Sequence, residues 1–131
     1  MIGLDTNVLV RYLVQDDPAQ AQSAAAYIEE ALVTETPLYI NTIVLCETLW
    51  VLRSAYGHTE ATLRTVVDKL LHARGLIIED EIILYQVLRT SERSGVSVVD
   101  ALIGKRNQAA GCEVTVTFDA QAAESATFRL L

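Results

Sequence analysis

Short apolar runs alternate with longer helix-forming segments along this chain, and that alternation limits the possible fold more than any other feature. The apolar runs, over residues 2–4, 37–40, 75–78 and 113–117, predict strands, and an edge strand is predicted over 126–130. The segments between them predict helices over 8–14, 19–32, 43–56, 59–71, 81–92 and 97–110. Strands that alternate with helices form a parallel sheet covered on its faces. The sequence therefore predicts an α/β fold, a three-layer α/β/α sandwich with a short, mainly parallel central sheet in which the run 2–4 is buried.

The length and composition fit one globular domain that spans residues 1–131. Apolar residues make up 51% of the chain, which has only 6 Gly and 2 Pro and no linker-like segment. The amino-terminal segment lacks the basic residues of a signal peptide, and no uncharged apolar run reaches the ~18 residues of a membrane span. We therefore expect a cytoplasmic protein without a membrane partner.

Cysteine and histidine do not form a metal-binding pattern. Cys46 and Cys112 lack ligand spacing and are predicted to be packed thiols. His58 and His72 are predicted at the surface, and neither has a partner at the spacing of a zinc site. The sequence therefore argues against a histidine-based zinc site and against a histidine general base.

Carboxylates stand at the edges of apolar runs, where an ordinary fold would place apolar side chains. They are Asp5, Glu47, Asp100 and Asp119. An ionised carboxylate taken out of water without a partner costs several kcal/mol, so a chain that repeats this arrangement is predicted to gather its acids around positive charge. A divalent metal ion is the simplest candidate. Asp5 and Asp119 also stand at the carboxyl ends of strands, where α/β folds bind ligands.

Glu47 is predicted to lie away from any solvated helix face. Its neighbours three and four positions away are all apolar, namely Ile43, Val44, Trp50 and Val51. The structural alternative is a buried glutamate paired with Arg53 or Arg11. The run 49–52 beside it is predicted to form core or a subunit interface.

Each aspartate also has a structural alternative. Asp5 and Asp119 precede helices, where aspartate is a favoured N-cap that contributes about 1 kcal/mol. Asp100 follows Ser97 at the spacing of a capping box. Capping does not exclude metal binding, because a strand-end carboxylate points toward the crevice that a helix N-terminus faces. Both roles stay open for these three residues on sequence alone.

The net charge of −7 is a poor match for a nucleic-acid partner, since phosphate binding usually depends on Lys and Arg. Two divalent cations held by the carboxylates would offset part of that charge and would present positive charge to a phosphate. The basic residues that could contact RNA are Arg11, Arg53, Lys105 and Arg106, and a solvated charge explains each of them equally well. Composition alone leaves the partner open.

Several motifs together resemble the PIN domain family, and within it the VapC-like toxins of bacterial toxin–antitoxin pairs. The motifs are Ile2-Gly3-Leu4-Asp5-Thr6-Asn7-Val8-Leu9, Glu47-Thr48-Leu49-Trp50-Val51-Leu52, Asp100-Ala101-Leu102-Ile103 and Thr117-Phe118-Asp119. The likeness covers the whole chain, and every acidic position of the family is filled. It implies a parallel-sheet α/β/α fold and a magnesium- or manganese-dependent endoribonuclease.

The resemblance also implies roles for particular residues. It makes Asp5, Asp100 and Asp119 direct or water-bridged metal ligands, and it assigns Glu47 to a second metal or to the attacking water. Supporting polar positions correspond to Thr6, Asn7 and Thr117. The chain departs from the family after Asp119, where Ala120-Gln121-Ala122 replaces basic and aromatic residues that are common there. That departure weakens any inference about substrate contacts.

The implied function is that of the toxin ribonuclease of a type II toxin–antitoxin system, a homodimer neutralised by a cognate antitoxin. A catalytically silent PIN-like module that binds RNA or protein is the alternative, and the intact acids argue against it. A phosphotransfer receiver or a HAD-like phosphatase also places acids at strand ends. A receiver needs a lysine after a late strand, however, and a HAD-like motif needs a second aspartate where Asn7 stands.

Overall fold

A computed structural model describes residues 1–131, and it contains six α-helices, five short strands and one 3-10 turn. In chain order these are β1 (Ile2–Gly3), α1 (Thr6–Leu13), α2 (Pro18–Val33), β2 (Leu38–Ile40), α3 (Thr42–Ser54), α4 (Glu60–His72), β3 (Leu76–Ile78), α5 (Glu81–Ser94), α6 (Val98–Ala109), β4 (Thr115–Thr117), the 3-10 turn (Ala122–Glu124) and β5 (Phe128–Leu130). Every predicted helix and strand is present, with ends displaced by one or two residues.

The strands pair in parallel, as the sequence predicts. β1, β2 and β3 form one sheet in that order, and β4 and β5 form a second, two-stranded sheet. The alternation of helices with short parallel strands confirms the predicted α/β class and agrees with the α/β/α sandwich.

The chain divides into two compact units. The first unit comprises Met1–His58 and Lys69–Glu79, and the second comprises Thr59–Asp68 and Asp80–Leu131. No helix in either unit combines the length and the apolar composition needed to cross a membrane.

The first unit is built on the three-stranded sheet and on helix α1, which packs against α2 and α3. Its fully buried side chains include Leu9, Leu38, Ile40, Leu45 and Leu49. Burying each such side chain stabilises the fold by about 1.5–3 kcal/mol. Two side chains outside α3 satisfy its first amides, because Asn41 accepts from the amide of Val44 at 2.8 Å and Glu79 accepts from that of Thr42 at 2.6 Å. The start of α3 is therefore firmly held.

The predicted burial of the run 2–4 is wrong for its first two residues. Ile2 is 42% exposed and Gly3 is exposed, while Leu4 is buried. β1 pairs with β2 alone and is an edge strand of its sheet, so its side chains lack the cover that a central strand receives. The apolar character of the run could not distinguish an edge strand from a central one.

The second unit contains the two-stranded sheet and the pair of packed helices α5 and α6. Asp80 immediately precedes α5 and has a positive φ of 57°, a backbone conformation that residues other than glycine rarely adopt. Its carboxylate forms an ion pair with Arg106 of α6. Ser97 caps α6, and the carboxylate of Glu60 accepts from the amide of Val98 at 3.2 Å. These contacts fix where α6 begins.

The predictions for cysteine and histidine are confirmed only in part. Cys46 is half-buried in α3, whereas Cys112 is exposed because it lies in the turn after α6 rather than in the strand that follows. His58 is half-buried and not a surface residue, since its Nδ1 lies 3.0 Å from the carbonyl oxygen of Leu52 at the end of α3.

Candidate metal-binding carboxylates

The predicted carboxylates are divided equally between the units, with Asp5 and Glu47 in the first and Asp100 and Asp119 in the second. None of them is buried: Asp100 is half-buried, and the other three are exposed. The expectation that they are taken out of water at the edge of a core is therefore wrong. Some of their apolar neighbours are buried, such as Leu4 and Ala101, whereas Trp50 and Phe118 are exposed, and the carboxylates themselves reach water.

Asp5 connects β1 to α1 through a fixed backbone. The amide of the preceding Leu4 donates to Tyr39 of β2 at 2.9 Å, and the carbonyl of Asp5 accepts from the amide of Leu9 at 3.1 Å. Asp5 occupies the N-cap position of α1 in an extended conformation, but its carboxylate makes no capping hydrogen bond. The capping alternative is thus wrong for Asp5, and its carboxylate is left to bind another group.

Glu47 lies on the solvated face of α3, contrary to the prediction. Helix α3 buries the stripe that contains Leu45, Leu49 and Leu52, and the opposite stripe leaves Ile43 71% and Trp50 68% exposed. The apolar neighbours of Glu47 in sequence predict burial, but two of them, Ile43 and Trp50, are exposed as Glu47 is. Within the run 49–52, the two leucines form core as predicted and Trp50 does not.

Thr6 is the hydrogen-bond partner of Glu47. Its hydroxyl donates to Oε2 of Glu47 at 2.6 Å, which joins the first turn of α1 to the middle of α3. The structural alternative, a glutamate paired with Arg53 or Arg11, is not realised: Glu47 forms no ion pair, and Arg11 is bound to Asp16. Because Thr6 directly follows Asp5, this hydrogen bond places both acids of the first unit at the start of α1.

Asn7, the other predicted supporting residue of this segment, is exposed at the edge of a groove between α1 and α2. The groove has a volume of about 430 Å³ and is lined mainly by apolar atoms of residues that include Leu4, Val8 and Ala24. Arg11 contributes to its polar edge. The groove belongs entirely to the first unit.

Asp100 lies in the first turn of α6, where Ser97 accepts from its amide at 3.1 Å. A complete capping box would also have the Asp100 carboxylate accept from the amide of Ser97, and that bond is not formed. The capping alternative is therefore only half realised. The backbone of Asp100 is held, and its carboxylate remains available.

Asp119 follows β4 and does act as a cap. Its Oδ1 accepts from the amides of Gln121 at 2.8 Å and Ala122 at 3.3 Å, and its own amide donates to the hydroxyl of Thr117 at 3.0 Å. The side chain of Gln121 donates to the carbonyl of Gly95 at 3.2 Å, which places this turn beside the segment that leads into α6. One carboxylate oxygen of Asp119 is thus used, and Oδ2 is left for a ligand.

The donor set suits a hard divalent cation, but only in small groups. No three or more Asp, Glu, His or Cys side chains lie together in a group that could hold a metal ion. Mg²⁺ commonly keeps several waters and takes only one or two protein carboxylates. The carboxylate oxygens that have no internal partner therefore suit such an ion by their chemistry, which does not require a dense protein cage.

Two of the basic residues considered for RNA contact are already paired with acids. Arg11 forms an ion pair with Asp16 at 3.0 Å, and Arg106 forms one with Asp80. Since a paired guanidinium presents less net charge to a phosphate, the structural explanation is the stronger one for these two residues.

Tyr56 and Asp16 form a hydrogen-bonded cluster with Arg11 that the sequence did not predict. The hydroxyl of Tyr56 donates to Oδ2 of Asp16 at 2.5 Å, and this bond holds the pKa of the Asp16 carboxyl below its usual value. The same bond raises the pKa of Tyr56. Arg11 contacts both residues. No local pattern could have revealed the cluster, because Tyr56 is 40 positions from Asp16 in sequence.

Thr48, the neighbour of Glu47 in α3, is fully buried, and its hydroxyl has no hydrogen-bond partner. We expect Thr48→Val to increase the free energy of unfolding by about 1 kcal/mol, because valine has a similar shape and removes an unpaired buried polar group. Thermal denaturation measures the change. Thr65→Val is the matched control, since the exposed Thr65 hydroxyl already bonds the carbonyl of Ala61. An equal gain in both variants would contradict the argument.

Parallel strands alternate with helices in this chain, and carboxylates stand two residues after β1 and β4. These features define an α/β protein of the kind that binds ligands at strand ends. The profile of the PIN domain family matches residues 2–127, in both units, and the chain belongs to that family. PIN domains are generally nucleases and usually use divalent metal ions. Comparisons with curated proteins and with solved structures gave no significant match.

Proposed function

We propose that this protein is an endoribonuclease that hydrolyses RNA phosphodiester bonds with the help of Mg²⁺ or Mn²⁺. One observation carries the proposal beyond family membership: none of the four acids Asp5, Glu47, Asp100 and Asp119 is paired with a basic side chain. Their charge is therefore not neutralised within the protein, and carboxylate oxygens are ligands that Mg²⁺ accepts. Here Asp119 alone uses its carboxylate as a cap.

The proposed roles follow the position of each residue. Asp5, Asp100 and Asp119 are metal ligands, directly or through water. Glu47 binds a second ion or orients the attacking water, and Thr6 holds its carboxylate in one rotamer through the 2.6 Å hydrogen bond. Thr117 supports Asp119 through the backbone amide of that residue. Asn7 has a free amide group at the start of α1, and we assign it to the metal's waters or to the substrate.

The reaction needs no nucleophilic side chain. Water attacks the phosphorus atom, and the bond to the leaving oxygen breaks. A divalent ion held by these carboxylates would lower the pKa of a bound water and would offset negative charge on the phosphate. The protein contributes fixed carboxylates whose backbones are anchored by β2, by Ser97 and by the turn after β4.

We further propose that the protein is a cytoplasmic toxin of a toxin–antitoxin pair and a homodimer whose cognate antitoxin covers the acidic residues. The exposed side chains of Ile43 and Trp50 on α3 support a protein contact, because large apolar groups exposed on the same helix face favour association. Sedimentation equilibrium of the whole chain tests the dimer, and a monomer mass would contradict it. A small adjacent reading frame with a DNA-binding amino-terminal part would support the toxin role.

A cleavage assay separates the nuclease from a silent PIN-like module that binds RNA or protein. We expect the purified chain to cut single-stranded RNA in buffer with Mg²⁺ or Mn²⁺ and to lose that activity in excess EDTA. Restoring the divalent ion should restore cleavage. RNA that binds but stays intact under all these conditions would favour the silent module, and cleavage that persists in EDTA would exclude the metal-dependent mechanism.

A further inference from the structure

Helix α1 is joined to α3 at one point and to the turn directly after α3 at another. Near its start, Thr6 donates to Glu47 at 2.6 Å. Near its end, Arg11 reaches Tyr56, which follows α3, at 3.4 Å. The two points on α1 are about 7.5 Å apart along the helix axis, since each residue of an α-helix rises about 1.5 Å. A helix held at two points along its length can neither rotate about its axis nor slide along it without breaking a bond.

The second point is a cluster of four side chains, Arg11, Asp16, Gln20 and Tyr56. Arg11 donates through Nε to Gln20 at 2.7 Å and through Nη1 to Asp16 at 3.0 Å, and Tyr56 donates to the other oxygen of Asp16 at 2.5 Å. Asp16 thus uses both carboxylate oxygens. The cluster links α1, the bend before α2, the first turn of α2 and the turn after α3, all within the first unit.

The electrostatics of the cluster agree with its geometry. The hydrogen bond to Tyr56 raises the pKa of Arg11, while the bond from Tyr56 lowers the pKa of Asp16. Both shifts favour the charged forms, so Arg11 and Asp16 remain an ion pair over the neutral pH range. Arg11 is about one third exposed and Asp16 somewhat more. Any stabilisation by these contacts therefore comes from their fixed geometry and not from deep burial.

We propose that three residues of the cluster, Arg11, Asp16 and Tyr56, are positioning residues for Asp5 and Glu47, the two predicted carboxylates of the first unit. It sets the rotation of α1 against α3, and this rotation decides where Asp5 points from the start of α1 and whether Thr6 reaches Glu47. None of the three residues contacts the carboxylates themselves. The inference rests on the proposed function, because it assigns the cluster a role in presenting metal ligands.

The test uses Tyr56→Phe, which removes the hydroxyl and keeps the ring, and Asp16→Asn as a second variant. Binding of Mn²⁺ to the whole chain is measured by electron paramagnetic resonance of the free ion, together with the thermal midpoint. We expect the dissociation constant for Mn²⁺ to rise about fivefold in both variants, less than the ~10–100-fold seen for groups bonded directly to a ligand. The Mg²⁺ concentration for half-maximal RNA cleavage should rise by a similar factor, with the maximal rate changed by less than about twofold.

Tyr12→Phe is the matched control, because Tyr12 also lies in this region, on α1, and its hydroxyl has no partner. It should bind Mn²⁺ like the wild type. If Tyr56→Phe and Asp16→Asn also bind Mn²⁺ like the wild type while Asp5→Asn does not, the positioning role is wrong and the nuclease proposal stands. If Tyr56→Phe, Asp16→Asn and the control Tyr12→Phe all weaken Mn²⁺ binding equally, the positioning role is likewise wrong. If the wild type binds no Mn²⁺, the nuclease proposal fails and this inference fails with it.

Discussion

Replacing Asp5 with asparagine should abolish RNA cleavage and leave the fold intact. Asparagine has nearly the same size but carries no negative charge, so the metal loses a charged ligand. Interactions of a catalytic divalent ion with the reacting phosphate are worth several kcal/mol, and their loss corresponds to a rate reduction of about 10²–10³-fold or more. A gel assay of RNA cleavage at saturating Mg²⁺ measures the effect.

The structure explains why Asp5 separates function from stability better than Asp119 does. Its carboxylate makes no capping bond, so Asp5→Asn removes only the favourable interaction of the charge with the start of α1, about 0.3–1 kcal/mol. Asp119 accepts two backbone amides, and a change there alters the turn as well as the charge.

Glu29→Gln is the control for a general charge effect. Glu29 is exposed on α2, and its loss also removes one negative charge from the chain. It should cut RNA at the wild-type rate. Wild-type cleavage by Asp5→Asn in buffer replete with metal would remove Asp5 from the mechanism, and an unfolded Asp5→Asn protein would show that its role is structural.

The pattern of apolar runs was sufficient to predict the order of helices and strands, because helix and strand periodicity and the helix-ending glycines are local signals. It was not sufficient for burial. Ile43 and Trp50 are apolar and exposed, and Glu47 between them was wrongly predicted to avoid solvent. A helix with apolar residues on two faces does not reveal which face packs against its own chain.

The partners of the acids were harder still to predict, since they depend on contacts between distant segments. Thr6 lies 41 positions from Glu47, and Tyr56 lies 40 positions from Asp16. The resemblance assigned Thr6 a supporting role; the structure shows its hydrogen bond to Glu47, and the role at a metal site stays a prediction. No resemblance or local pattern pointed to Tyr56. The grouping of all four acids around one cation remains a prediction.

Gly104 provides the prediction with the largest expected effect on stability. It lies in α6, one turn after Asp100, and is buried. A Cβ atom at this position would lie 2.8 Å from the ring carbon Cε2 of Phe128, 2.9 Å from Cβ of Thr127, and closer still to the hydroxyl oxygen of Thr127. Thr127 is buried, and its hydroxyl bonds that of Ser125 at 3.0 Å. Only glycine allows α6 to approach the segment 127–128 this closely.

We expect Gly104→Ala to lower the free energy of unfolding by about 2–4 kcal/mol. Overpacking costs about 1–3 kcal/mol and disturbing the buried Ser125–Thr127 hydrogen bond about 1–3 kcal/mol. These losses exceed the ~1 kcal/mol by which alanine is favoured over glycine inside a helix. For a chain of this length the thermal midpoint should fall by about 10 °C, measured by circular dichroism.

Gly3→Ala is the matched control, because a Cβ atom at Gly3 would meet nothing within 4 Å and the backbone there needs no positive φ. Its thermal midpoint should stay close to that of the wild type. If Gly104→Ala is equally stable, α6 can shift away from Thr127 without cost, and the close approach does not fix the helix. That outcome would also imply that the position of Asp100 is adjustable, and Mn²⁺ affinity in the folded variant would then show whether its carboxylate needs a fixed place.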